Sequence, residues 1–544
     1  MEKEELALEA RRLGMVVGGS LSGGLTVKLD PGAVIEGVAV GRYVIVKGQK
    51  RRFFGLITDV SLDSTNPFLE KSPPDVSDPF ISEVISGTGV FGKLSVSVHL
   101  VIEEGLKEPR PARTIPAHFS PVYYATQEDV EKVFGKEGTP GRHFFYIGEP
   151  IDMEGIKLTI DMGKLVERSS GIFGKSGTGK TFLTRLLLAG ILRENVATCL
   201  VFDMHSEYGW EAEGEGGIRV KGLRQLFGDK VAIFTLDRES TLRRGIRPDA
   251  IVRIPWKSVE PEDIIVLQGL LDISEAGVGA IYAMRRAWGE GWLERFFNLT
   301  DEDFDELVEK HRQSSSTINA LHRKLARLQD LPFFCADTQE DSVRLMLDYI
   351  LRGRSVVLEF GRFGRDLRAY IIVANYITRR IHEEFVRLKE EALGGIGPEP
   401  PQLVIVIEEA HKFLDPMVAR QTIFGTIARE MRKYNVTLLV VDQRPSGIDE
   451  EVMSQIATRI TCLLDNEADI KAVLSGIPGA AGLRDVLARL ETRQQALALG
   501  HAVPMPVPIK VRSYGTPDFY ASFQKAPRAE LKALVWGQEE NDNP

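Results

Sequence analysis

Gly174, Lys175, Ser176, Gly177, Thr178, Gly179, Lys180 and Thr181 fill every position of the pattern G-x-x-x-x-G-K-[ST]. That pattern suits one chemistry. Glycines let backbone N–H groups turn inward around phosphates, and the N-terminus of a following helix adds favourable dipole. Lys180 would reach the β- and γ-phosphates, and the Thr181 hydroxyl would ligate magnesium. Holding ATP is not yet hydrolysis, which also needs an acid for the metal and a group to orient water. The segment LVIVIEEAH (403–411) offers both: Glu408 for the magnesium shell and Glu409 to polarise the attacking water. VVDQRPSGI (440–448) adds Gln443, an amide able to bond both the γ-phosphate and that water as a sensor. Asp203 and Glu207 in FDMHSEY can support the metal or water shell, whereas His205 and His411 have no metal-ligand spacing and read as structural.

Arg429 and Arg432 lie three residues apart in the basic stretch FGTIAREMRKYNV (424–436), on one face of a helix. Two readings stand. One is a solvated charged face. The other is an arginine finger presented to the γ-phosphate of an adjacent subunit, which requires a ring and can raise the rate by roughly 10³ to 10⁵. Arg168, upstream of the glycine loop, could also reach a nucleotide across an interface.

These groups need elements to position them. GIFG (171–174) reads as a short strand entering the loop, TFLTRLLLAGILREN (181–195) as an apolar helix, and ATCLVFDMHSEY (197–208) as a buried strand. That order is a βαβ unit with a parallel sheet. VAIFTL (231–236), SVVLEF (355–360), QLVIVIEEA (402–410), VTLLVVDQ (436–443) and RITCLL (459–464) predict further core strands. The acids of 408 and 409 then fall at a strand's C-terminal edge, where open α/β sheets bind ligands. Amphipathic helices over about 258–350 interrupt this rhythm and predict an inserted helical subdomain. Ahead of the core, LTVKL (25–29), GRYVIVKG (41–48), FFGLITDV (53–60) and FGKLSVSVHLVIEE (91–104) are short β-rich runs with glycine-bearing turns, the pattern of a small barrel or sandwich. The expected organisation is a β-barrel at 1–150, core at 151–257, helical insertion at 258–350, core again at 351–500, and an extended tail at 501–544 that reaches toward a neighbouring subunit and ends in disorder. A short charged helix is expected at about 1–12.

Length and composition set limits. At 544 residues the chain needs several domains, and 43% hydrophobic with 27% charged residues is globular. The three cysteines, Cys199, Cys335 and Cys462, form no C-x-x-C pair and read as thiols of a reducing compartment. The charged start is no signal peptide, and no apolar run spans a membrane, so a cytoplasmic protein is expected. A net charge of −9 does not mark a basic nucleic-acid coat, yet a ring can be acidic outside and basic only along its channel.

GKSGTGKT, FDMHSEY, VIEEAHKF, IAREMRK and DQRPSGID, in that order, resemble the HerA family of hexameric DNA translocases, in the group that includes FtsK and the conjugative ATPases. The resemblance covers most of residues 13–515. It implies a RecA-like P-loop core, an N-terminal HAS-barrel, a homohexameric ring using ATP and Mg2+ to move double-stranded DNA through its pore, and a NurA-type nuclease docked on the barrel face for end resection. It implies pore arginines that meet phosphates; Arg362, Arg365 and Arg368 in RFGRDLR are candidates, with a solvated loop as the other reading. The chain departs from the family in FDMHSEY and AREMRK, which leaves the finger open between Arg429 and Arg432, with Arg432 preferred. Two other functions compete: a ring scaffold activating another effector, and a conjugation or secretion ATPase.

Overall fold

The computed structural model describes residues 12–524, apart from 67, 76, 78, 86–88, 104, 106–107, 214–218, 339 and 478–479. The expected helix at the N-terminus and the final GQEENDNP therefore lie outside the described residues. The chain forms two compact units. One comprises 1–165, 173–180 and 457–513; the other comprises 166–172, 181–456 and 514–544.

In the first unit, Gly14–Ser20, Gly24–Leu29, Tyr43–Lys47, Arg52–Ser64, Val90–Ile102 and Pro121–Tyr124 form an antiparallel barrel. Pairing of Leu25 with Val96 and Val27 with Leu94 closes it, which removes the exposed edges an open sheet would carry. Alternation does the rest: Val16, Leu25, Val27, Val44, Val46, Ile57, Leu94 and Val96 point inward and are buried. The helix Gln127–Phe134 starts with a Thr126–Asp129 capping box and sends Phe134 against Tyr43, ring centroids 5.8 Å apart. A second antiparallel ladder follows the order Thr458–Thr461, Gln495–Gly500, Val507–Val511, Phe144–Pro150, Leu158–Asp161. Two expectations change here. RITCLL does supply a core strand, next to Ser170–Phe173 in the sheet order, but on its other side it pairs antiparallel with Gln495–Gly500, so the parallel run ends there. The proline-rich tail segment is extended, as its composition suggests, but Val507–Val511 satisfies its backbone against this chain's own strands.

In the second unit, six strands run parallel in the order Ala250–Ile251, Val231–Thr235, Ser355–Glu359, Thr198–Asp203, Leu403–Glu408, Val436–Asp442, and Ser170–Phe173 pairs beside the last. Their unbroken apolar runs are buried throughout, as strands covered on both faces require. The 27-residue helix Leu367–Leu393 buries Tyr370, Val373, Ala374 and Ile377. The helical insertion has a defined root. Ile254 pairs with Phe334 and Pro255 with Cys335, so the two ends of the insertion leave the core side by side. Between them run Pro261–Ile265, Glu275–Trp288, Trp292–Phe297 and Ser315–Leu325, centred on a buried Trp292 whose indole N–H donates to the Val259 carbonyl at 2.9 Å. No helix among the described residues is long and apolar enough to cross a membrane.

Candidate active site

The strand Ser170–Phe173 delivers the glycine loop, and the helix Lys180–Glu194 leaves it. Within the loop, Gly174 has φ +152°, and a Cβ there would lie 2.7 Å from the Cys462 Cβ and 2.8 Å from the Thr178 Oγ1. Glycine is thus required at this position by space as well as by backbone. The Lys180 ammonium donates to the Lys175 carbonyl at 2.9 Å, and Lys175 pairs with Asp465 at 2.9 Å. Cys462, packed beneath the loop, has its thiol pushed up to about 11 by burial, which keeps it an unreactive apolar filler.

In the second unit, the parallel register sets acids side by side. Asp203 faces Glu359, Glu359 faces Thr235, and Glu408 faces Val441, the residue before Asp442. Four neighbouring strands therefore end in Glu359, Asp203, Glu408 and Asp442, all buried. Each has a different environment. Asp203 accepts the N–H groups of Glu207, Tyr208 and Gly209 at 2.8, 2.9 and 3.4 Å, so it shapes the FDMHSEY loop. Burial, then Glu359, pushes it up to about 7 against the pull of those donors. Glu359 is held by Arg244 and by the Thr241 hydroxyl at 3.2 Å.

Glu408 is the acid with unmet valence. The Tyr208 phenol donates to Oε1 at 2.5 Å, while Oε2 is buried with no hydrogen-bond partner among the described residues. Burial raises its carboxyl to about 8; Tyr208 opposes this, and Asp203, Glu207 and Glu409 add to it. Tyr370 fixes the strand end, donating to the Glu408 carbonyl at 3.0 Å and accepting its N–H at 3.1 Å. A buried carboxylate oxygen without a donor, pressed by three other carboxylates, fits a divalent cation.

The chain turns sharply after Glu408. Glu409 has φ +49°, a left-handed conformation that costs a non-glycine residue about 1 to 3 kcal/mol. The Gln443 amide nitrogen lies 3.2 and 3.4 Å from its two carboxylate oxygens. Asp442 accepts the His411 backbone N–H at 2.7 Å and its ring Nδ1 at 2.9 Å, and the Arg444 N–H at 2.6 Å. Donor atoms of Glu409, His411 and Asp442 lie within 4.8 Å of one another, a closeness these hydrogen bonds explain.

The remaining predicted residues divide clearly. Arg168 is exposed just ahead of the loop strand. Arg429 donates to the Ala419 carbonyl at 3.1 Å and sits 3.6 Å from Glu451, so its guanidinium is engaged within its own chain. Arg432 falls in the 3-10 turn Met431–Tyr434, and its side chain lies outside the described residues. Arg362 and Arg365 are exposed on the turn Gly361–Arg365, with Arg362 3.5 Å from Asp237. Arg368 is bound by Asp366 at 2.7 Å and by the Arg327 carbonyl at 3.1 Å, which makes it a structural arginine first. Sequence reasoning missed Tyr208, Tyr370 and the Arg244–Glu359 pair. Tyr208 stands inside a motif already singled out; the others are joined to their partners only by the fold.

Comparison with known proteins agrees with this arrangement. The family model described as the central domain of helicase HerA matches residues 145–381, and the HAS barrel domain model matches 13–80. A DNA double-strand break repair helicase HerA from Sulfurisphaera tokodaii is 26% identical, covering 97% of this chain and 100% of the relative. The protein of that description from Saccharolobus solfataricus is 23% identical over 91% of this chain and 93% of its own. Among solved structures, VirB4 of Thermoanaerobacter pseudethanolicus aligns with a TM-score of 0.46 and 15% identity, covering 70% of this chain and 98% of that one. This chain is thus similar to the HerA helicases in its barrel and central-domain segments and, through its relatives, along almost its whole length.

Proposed function

We propose that the chain is an ATP-driven translocase of double-stranded DNA, acting as a cytoplasmic homohexameric ring with a NurA-type nuclease on its barrel face in the resection of DNA ends. The observation that carries this reading is the pair Glu408 and Glu409 at one strand end, the first buried with an unmet oxygen and the second turned out beside Gln443, in a chain whose relatives are named as double-strand break repair helicases. Thr181 and Glu408 would hold Mg2+, which when bound neutralises charge on the phosphates. Tyr208 keeps Glu408 oriented. Glu409 accepts a hydrogen bond from the attacking water and takes its proton, and Gln443 holds that carboxylate in place. Lys180 meets the β- and γ-phosphates. Arg432 from a neighbouring subunit would stabilise the transferred charge, with Arg429 second because its guanidinium is engaged at home. Arg362 and Arg365 meet the DNA backbone, with Arg368 bracing the helix behind them.

The test is ATP hydrolysis with and without linear duplex DNA across a salt series. The reading expects stimulation that weakens steeply with salt, since phosphate contacts release counterions. Equal rates with and without DNA, in the presence and absence of the nuclease, would reject it.

A further inference from the structure

Among the described residues, Arg185 is a buried cation without a counter-ion. It sits on the helix Lys180–Glu194 one turn beyond Thr181, and residues four apart share a helix face. Its residue exposure is 2%, and Nε and Nη1 are buried with no hydrogen-bond partner among the described residues. Two rings flank it: the Phe182 ring at 5.2 Å and the Tyr514 ring at 6.0 Å. Buried charges are ordinarily paired, because an unpaired one forfeits its hydration. A guanidinium has only donors, so what this place lacks is an acceptor.

The aromatic wall is fixed. The Tyr514 hydroxyl donates to the Lys221 carbonyl at 2.7 Å. A Cβ on Gly515 would come within 2.5 Å of Val220, so the chain passes there without slack. The Phe519 ring of helix Pro517–Gln524 packs 4.6 Å from Tyr514, and Phe523 packs 5.7 Å from Phe227. Phe182 directly follows Thr181, whose hydroxyl belongs to the phosphate site. A ligand gripped by its phosphates at the start of this helix has its other end to place, and one helical turn advances about 5.4 Å.

We propose that Phe182, Arg185 and Tyr514 form the subsite for the nucleoside end of the bound ATP. Purine ring nitrogens and ribose oxygens supply the acceptors that Arg185 lacks, and the rings offer faces for stacking. The proposal rests on the reading of Gly174–Thr181 as the ATP site, and inorganic tripolyphosphate separates the two, because it carries the phosphates without the nucleoside. Calorimetric titration of the full-length protein with Mg-ATP and with Mg-tripolyphosphate is the experiment, on wild type, Arg185→Met, Phe182→Leu and Lys180→Ala. Arg185→Met is expected to weaken ATP about tenfold or more while leaving tripolyphosphate unchanged, and Phe182→Leu to show the same asymmetry more mildly. Should Arg185→Met fail to fold by thermal melting, Phe182→Leu decides alone. Equal weakening of both ligands, or no weakening of either, overturns the subsite. Tripolyphosphate binding that survives Lys180→Ala would instead overturn the loop reading.

Discussion

Replacing Tyr208 by Phe removes one oxygen and tests the proposal that Glu408 is a metal ligand oriented by Tyr208. The phenol donates to Oε1 at 2.5 Å, and the other oxygen of that carboxylate already lacks a donor. In Tyr208→Phe the buried carboxylate therefore has no donor among the described residues, while the ring still fills its place. A hydrogen bond to a charged group contributes about 1.5 to 3 kcal/mol. At roughly 1.4 kcal/mol per factor of ten, this is about 10- to 100-fold in the ease of forming the carboxylate. The direction is fixed by the wild-type site: Tyr208 is what pulls the Glu408 carboxyl down from the height that burial imposes, to about 8. Without it the proton is held more tightly, and a cation must displace that proton. Phosphate release measured against free Mg2+ at pH 7 is expected to show half-saturation raised by about tenfold or more. Because the competitor is a proton, raising the pH to 9 should shrink the difference. Half-saturation unchanged at pH 7, or a defect equally large at both pH values, would refute the assignment of Glu408 as a metal ligand oriented by Tyr208.

Other outcomes follow from the same geometry. Arg244→Leu leaves Glu359 buried and unpaired, and should cost about 3 to 5 kcal/mol in denaturant unfolding, with Arg244→Leu/Glu359→Leu recovering most of the loss; a loss under 1 kcal/mol contradicts the pairing. Gly174→Ala drives a Cβ into Cys462 and Thr178, so nucleotide binding should vanish in calorimetry while the far-UV circular dichroism stays native. Arg365→Ala should lower the slope of log affinity for duplex DNA against log salt by about one, and an unchanged slope would remove Arg365 from the DNA contacts.

The glycine loop was legible because its pattern is local: the proposed phosphate cradle lies within eight consecutive residues, and the flanking strand and helix are visible as apolar runs. Glu408 and Glu409 were legible because two acids end an otherwise apolar strand. Their different surroundings were not. They depend on a left-handed turn at Glu409 and on Tyr208, two hundred residues away in sequence, meeting Glu408. Asp203, read as a support for the metal or water shell because it too ends a strand, also accepts three backbone N–H groups, which only the loop's return path reveals. The row from Glu359 to Asp442 is set by parallel register, which periodicity within a strand does not encode. Chain-wise domain boundaries likewise could not anticipate units assembled from separated segments, since Val507–Val511 finds its partners at 495–500 and 148–150.

The most direct measurement of the central claim is hydrolysis by Glu409→Gln beside its affinity for ATP. The substitution keeps size and hydrogen bonding but removes the proton acceptor next to Gln443. The account predicts ATP binding within about twofold of wild type, with turnover reduced about 10²- to 10⁴-fold. Turnover within tenfold of wild type would contradict it, and Glu409 would then not be the group that activates water.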